Sequence, residues 1–134
     1  MTNPTAIMVV AHAPLASALK SVAEHVFGGT TPVTAIDVLP GACAADSTEA
    51  LVDRITALDV GAGVLLMTDL PGASPSNICI EACHRARSKG TQCEVVGGVN
   101  AAMVLRAVTY REHDLVSTAN HALEGAAQTL LRVD

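Results

Sequence analysis

Residues 63–77 read GVLLMTDLPGASPSN, and this stretch decides the fold. Gly63 to Thr68 is a short apolar run without alternation, the pattern of a parallel strand covered on both faces. Asp69 ends the strand, and Leu70-Pro71-Gly72-Ala73 forms a loop. Ser74-Pro75 then opens a helix, with serine expected as N-cap and proline at the first helical position. A buried strand that delivers a carboxylate to a glycine-containing loop and a helix N-terminus is one βα unit of an α/β sheet.

The same pattern repeats on either side. Ala6 to Ala11 (AIMVVA) is a second buried strand, ending at His12. A helix follows from about Pro14 to Phe27, with Leu15, Leu19, Val22 and Val26 as its apolar stripe, and Gly28-Gly29 ends it. Val33 to Leu39 reads as a strand. Asp46 is expected to cap the next helix, with Glu49 completing a capping box and Leu51, Ile55 and Leu58 facing inward. The helix from Ser74 should end near Lys89-Gly90, with basic residues in its last turn. Gln92 to Val96 reads as the fourth strand. Asn100 caps a helix through Val108, and Leu115 to about Leu130 forms the last one. Leu131 to Asp134 could be extended.

Alternating strands and helices, with no linker, repeat or low-complexity segment, predict a single domain over residues 1–134. Its class is α/β, an open, doubly wound, mainly parallel sheet with right-handed crossovers. In the flavodoxin-like strand order 2-1-3-4, the order of winding reverses between strands one and three, and such sheets bind ligands beyond the carboxyl ends of their strands at that point. His12 and Asp69 stand at those two strand ends.

This pair suits phosphoryl transfer. A neutral imidazole is nucleophilic at one nitrogen only while the other holds the proton. A carboxylate accepting from Nδ1–H fixes that tautomer, leaves Nε2 free to attack and stabilises the cation that develops. Gly72, Ala73 and Ser74 are the candidate phosphate-binding residues, through loop amides, the helix N-terminus and the Ser74 hydroxyl. His25, His84, His113 and His121 fall in or beside helices, away from strand ends, and read as surface or partly packed residues.

Composition narrows the remaining classes. Half of the 134 residues are hydrophobic, but Tyr110 and Phe27 are the only aromatic ones, so Ala, Val, Leu and Ile must build the core. The formal net charge of −5 and scattered basic residues, apart from Arg85, Arg87 and Lys89, speak against nucleic acid. No apolar run approaches the roughly 20 residues of a membrane helix, and the N-terminus has no basic segment of a signal peptide, which predicts a cytoplasmic protein. Cys43, Cys79, Cys83 and Cys93 form no CxxC pair. Cys79 and Cys83, one turn apart, could join His84 around a metal, but they read as small buried thiols facing the core. No metal and no cofactor is expected.

Three segments carry a family resemblance. AIMVVAHAPLASAL (residues 6–19) resembles the opening strand, active histidine and first helix of mannose-type IIA components of the bacterial phosphotransferase system (PTS). MTDLPGASPSN (67–77) resembles their Asp followed by a glycine-rich Ser-Pro-x-Asn turn, and GGVNAAMVLRA (97–107) their Gly-Val-Asn segment leading into a helix. The segments occur in family order and span nearly the whole chain. The resemblance implies that His12 accepts a phosphoryl group from phospho-HPr and passes it to a IIB component, or signals to a regulatory target. It implies an orienting role for Asp69 and a phosphate-loop role for Gly72, Ala73 and Ser74. It also implies a homodimer that exchanges an antiparallel C-terminal strand. The chain departs from the family pattern at Ala13-Pro14, where members commonly have Gly after the histidine, and at Pro71 and Ala73.

Rival readings share the architecture. A receiver domain would phosphorylate Asp69, but it needs acidic Mg²⁺ ligands where His12 stands. A flavin carrier lacks flanking aromatic residues. A phosphoryl donor to dihydroxyacetone kinase and a non-catalytic interaction module complete the alternatives.

Overall fold

The computed structural model describes residues 3–134. Four strands, β1 (Ala6–His12), β2 (Val33–Val38), β3 (Val64–Thr68) and β4 (Cys93–Val96), form one sheet in the order β2-β1-β3-β4, and every pairing is parallel. Five helices connect or follow them: α1 (Leu15–Phe27), α2 (Ala44–Leu58), α3 (Ser74–Ser88), α4 (Ala101–Thr109) and α5 (Leu115–Thr129).

Alternate residues of the central strands feed two separate cores, as the period of two along a strand requires. Ile7, Val9, Leu65 and Met67 point toward α1, α4 and α5, where they meet Leu19, Met103, Val104 and Ala122. Met8, Val10, Val64 and Leu66 point the other way, onto Leu51, Ile55, Ile78 and Ala82 of α2 and α3. Both faces of β1 and β3 are thereby covered, which is why their sequences are continuously apolar. Cys79, Cys83 and Cys93 lie in the second core. Burial pushes the Cys79 thiol up to about 12, so it stays protonated at neutral pH and serves as a small hydrophobe. His84 is exposed, whereas Cys79 and Cys83 are buried.

Three expectations are corrected, two about helix starts and one about the C-terminus. Helix α2 starts at Ala44 with Cys43 as N-cap, so Asp46 lies inside the first turn and the Asp46–Glu49 capping box does not form. Asp46 still favours the helix there, because a carboxylate in the first turn faces the positive end of the macrodipole. In α3 the N-cap is Ala73, and Ser74 is already helical without a side-chain cap bond. An extended Ala73 followed by the fixed φ of Pro75 starts the helix one residue earlier than a serine cap would. The third correction is the C-terminus: Leu131–Asp134 pair with no strand. An antiparallel strand there needs a sheet edge, and within this chain the tail reaches none.

Other ends follow the sequence. Gly28 takes φ +78° and its amide donates to the Glu24 carbonyl at 2.9 Å, closing α1. The Asn100 side chain accepts from the Met103 amide at 3.1 Å, starting α4. Helix α1 has no local side-chain cap at Pro14. Its cap comes from β2, where Asp37 accepts from the Ser17 amide at 3.1 Å and from the Ser17 hydroxyl.

Candidate active site

The parallel register places Val10 of β1 beside Thr68 of β3, so the two strands end side by side at the switch point. His12 and Asp69 therefore meet. The His12 ring nitrogen Nδ1 lies 2.7 Å from Asp69 Oδ2, and the same oxygen accepts the His12 backbone amide at 3.1 Å. One carboxylate oxygen thus grips the histidine at its backbone and at its ring, which fixes χ1 and χ2 together. The other oxygen, Oδ1, is buried with no hydrogen-bond partner among the described residues.

The two side chains differ sharply in exposure. The imidazole is 47% exposed and the carboxylate 10%. The aspartate thus sits behind the ring, as the sequence argument requires, and Nε2 is on the side the carboxylate leaves free. Burial pushes the Asp69 carboxyl up, but the His12 ring, the Leu70 amide and the His12 amide together hold it below the usual aspartate range. It is an anion throughout the neutral range. An anion at Nδ1 makes the Nδ1–H, Nε2-lone-pair tautomer the favoured neutral form.

The loop after Asp69 is a closed turn. The Ala73 amide donates to the Leu70 carbonyl at 3.1 Å, and Gly72 has φ +89°. Proline at the second position and a positive-φ glycine at the third are the requirements of a type II turn. Asn77 Nδ2 reaches back to the Gly72 carbonyl at 3.4 Å, tying the turn to the first turn of α3. The Ala73 amide is consequently spent inside the turn. Among the described residues the amides of Gly72 and Ser74 have no protein acceptor. Ser74 and His12 line one cleft of about 310 Å³, together with Ala13, Leu39, Pro75 and Ile78. Of the expected phosphate-binding residues, Ser74 shares that cleft, whereas Gly72 and Ala73 shape the turn beside it.

The segment after β4 supports the site from below. The Gly98 and Val99 amides donate to the carbonyls of Asp69 and Thr68 at 2.8 and 2.9 Å. Sequence reasoning gave no role to Asn77 or to Gly97-Gly98. The local signal for Asn77 was a polar amide one helical turn past a glycine turn; Gly97 shows itself only in three dimensions.

The remaining histidines lie elsewhere. His25, His84 and His113 are exposed, and His121 stacks on Tyr110 with ring centroids 3.8 Å apart. A larger groove of about 610 Å³ follows β4, lined by Arg87, Thr91, Glu94, Asp114 and Val116, and does not include the histidine centre.

A parallel 2-1-3-4 sheet with a histidine–aspartate pair at its switch point defines a flavodoxin-like α/β protein with a half-exposed imidazole held from behind by a carboxylate. The chain belongs to the family described as the PTS system fructose IIA component, whose profile matches residues 6–124. A curated relative, the PTS system mannose-specific EIIAB component of Escherichia coli, is 32% identical over 113 residues. That match covers 81% of this chain but 32% of the relative, so the chain spans about a third of the length of the curated relatives it matches. Among solved structures, a mannose/sorbose-specific IIA subunit from Enterococcus faecalis superposes with a TM-score of 0.86 at 16% identity, covering 98% of this chain and 96% of that one. Phosphotransferase system component EIIA from Streptococcus agalactiae gives 0.81 at 21% identity, covering 94% and 95%. These two likenesses establish the fold. No helix among the described residues is long and apolar enough to cross a membrane.

Proposed function

We propose that His12 Nε2 is the phosphoryl acceptor of a mannose-type EIIA phosphocarrier, charged by phospho-HPr in the cytoplasm and discharged to a IIB component or a regulatory target. The observation that carries this reading is the 2.7 Å contact between His12 Nδ1 and Asp69 Oδ2, with the ring half exposed and its carboxylate buried. In the transfer, the Nε2 lone pair attacks phosphorus and the Nε2–P bond forms. The bond from phosphorus to the donor breaks, and its electron pair returns to the donor. Asp69 holds the Nδ1 proton throughout and offsets the positive charge that develops on the ring. The Gly72 and Ser74 amides, the Ser74 hydroxyl and the α3 N-terminus are suited to receive the phosphoryl oxygens.

The burial of Asp69 disfavours the receiver-type alternative. An acceptor aspartate must present an oxygen to the incoming phosphorus, whereas Oδ2 is occupied twice by His12 and Oδ1 is buried. The family match favours the sugar phosphotransferase branch over a donor to dihydroxyacetone kinase.

The homodimer is part of the same proposal. β4 is a sheet edge with the 610 Å³ groove along it, and the tail exposes Leu130 (78%), Leu131 (62%) and Val133 (94%). Apolar side chains at that exposure and a free strand edge, both on one molecule, suit exchange between two copies.

Incubation with Enzyme I, HPr and phosphoenolpyruvate, followed by intact mass, tests the function. The expected product carries one acid-labile phosphoryl group, absent from His12→Ala. An acid-stable, hydroxylamine-sensitive product, or full labelling of His12→Ala, would overturn it.

A further inference from the structure

The turn that borders the histidine cleft rests on a residue with no side chain. Gly97 follows β4 directly, and its φ is not positive, so its backbone conformation is open to any residue. What excludes other residues is space. A Cβ at Gly97 would come within 2.8 Å of Pro71 Cγ, 3.5 Å of Cδ and 3.9 Å of Cβ. The first of these is closer than carbon atoms approach one another, and a proline ring can withdraw only by the small shift of its pucker. Immediately after it, the Gly98 and Val99 amides hold the Asp69 and Thr68 carbonyls at 2.8 and 2.9 Å. The 97–99 segment therefore fixes both ends of one short path: the strand end that carries Asp69 and the ring of Pro71 two residues on.

Pro71 is the second residue of the turn closed by Ala73 and Leu70, and Gly72 and Ser74 follow within three residues. Moving Pro71 outward carries those amides with it, while Asp69 and His12 stay anchored in the sheet. We infer that Gly97 is a positioning residue: by admitting the Pro71 ring, it sets the distance between the 70–74 turn and the His12 ring. The inference rests on the reading of His12 as phosphoryl acceptor. It requires that the pair act as a unit, so that the glycine matters only while the proline ring is present.

A double-mutant cycle tests it. Single-turnover phosphorylation by phospho-HPr is measured for the wild-type chain, Gly97→Ala, Pro71→Ala and the double variant. Pro71→Ala removes Cγ and Cδ and leaves only the ordinary 3.9 Å contact. Gly97→Ala should lower the maximal rate about 10- to 100-fold, on the scale of a 1 Å misplacement, with an unchanged half-saturating concentration of phospho-HPr. In the Pro71→Ala background the same substitution should have no effect. A purely structural role would instead lower the folded fraction and leave the rate per folded molecule intact. Equal rates for Gly97→Ala and wild type would overturn the inference, as would a double variant slower than Pro71→Ala. If Gly97→Ala does not fold while the double variant does, the role of the glycine is structural and the positioning inference is overturned. Failure of the wild-type chain to take phosphate on His12 would refute the acceptor reading itself, a separate outcome.

Discussion

Replacing Asp69 by asparagine keeps the shape of the site and removes its charge, and the hydrogen bonds determine what that costs. Oδ2 accepts from both the His12 amide at 3.1 Å and the His12 ring at 2.7 Å. In Asp69→Asn the amide oxygen must take that place, because an NH₂ group there would face the His12 N–H donor to donor. The NH₂ group then occupies the site of Oδ1, which is buried and has no partner. That site has no partner among the described residues of the wild-type chain either, so the forced orientation breaks no hydrogen bond there. The alternative orientation puts the NH₂ group against Nδ1, which must then be the lone-pair nitrogen, and the proton moves to Nε2. That tautomer cannot attack phosphorus. In the forced orientation the ring keeps its tautomer but loses a charge-assisted bond. Such bonds exceed neutral ones by roughly 1.5 kcal/mol, and the whole bond is worth about 1.5–3 kcal/mol. At 1.36 kcal/mol per tenfold in rate, transfer slows about 10- to 150-fold. Rapid-quench phosphorylation of the purified variant by phospho-HPr measures this directly. Transfer within twofold of wild type would refute the claim that the carboxylate orients and charges the ring.

Further predictions follow from other contacts. Asp37→Ala removes the side-chain cap of α1 and should lower stability by about 0.5–2 kcal/mol in urea unfolding; an unchanged midpoint would show that the Ser17 contacts contribute nothing. The folded Asp69 carboxyl titrates below its ordinary value, so its stabilising contribution is complete above the unfolded aspartate range and is lost as pH falls through the lowered folded value. The wild-type chain should therefore lose stability in that acid window more steeply than Asp69→Asn, and parallel pH–stability curves would contradict this. Deleting residues 130–134 should convert a dimer to a monomer in light scattering; a truncated chain with the mass of the intact one would show that the tail does not hold two copies together.

The parts of this molecule legible in its sequence are those where burial alone dictates residue type. β1 and β3 are covered on both faces, so Ala6–Ala11 and Val64–Thr68 could only be continuous apolar runs. The strand ends followed, and with them the meeting of His12 and Asp69, because parallel register carries neighbouring strands to the same side. Helix starts were less legible. Asp46 and Ser74 are good caps by type, yet their helices begin three residues and one residue earlier, since several residues near a helix start can cap and the packing of the helix chooses among them. The contributions of Asp37 and Gly97 were not legible because each depends on a neighbour brought close by the fold. Asp37 caps a helix from a different strand, and Gly97 is set by a ring 26 positions earlier in the chain. The Ala73 amide, expected to bind phosphate, closes the turn instead, a choice made by the Pro71-Gly72 geometry.

The central claim is that Asp69 occupies Nδ1 so that phosphate arrives on Nε2 of His12. Proton-coupled ¹⁵N and ³¹P NMR of the chain phosphorylated by Enzyme I, HPr and phosphoenolpyruvate tests it at atomic level. The account predicts an Nε2-phosphohistidine at position 12 with Nδ1 still protonated. An Nδ1-phosphohistidine, a phosphoaspartate, or phosphate on His25, His84, His113 or His121 would contradict it.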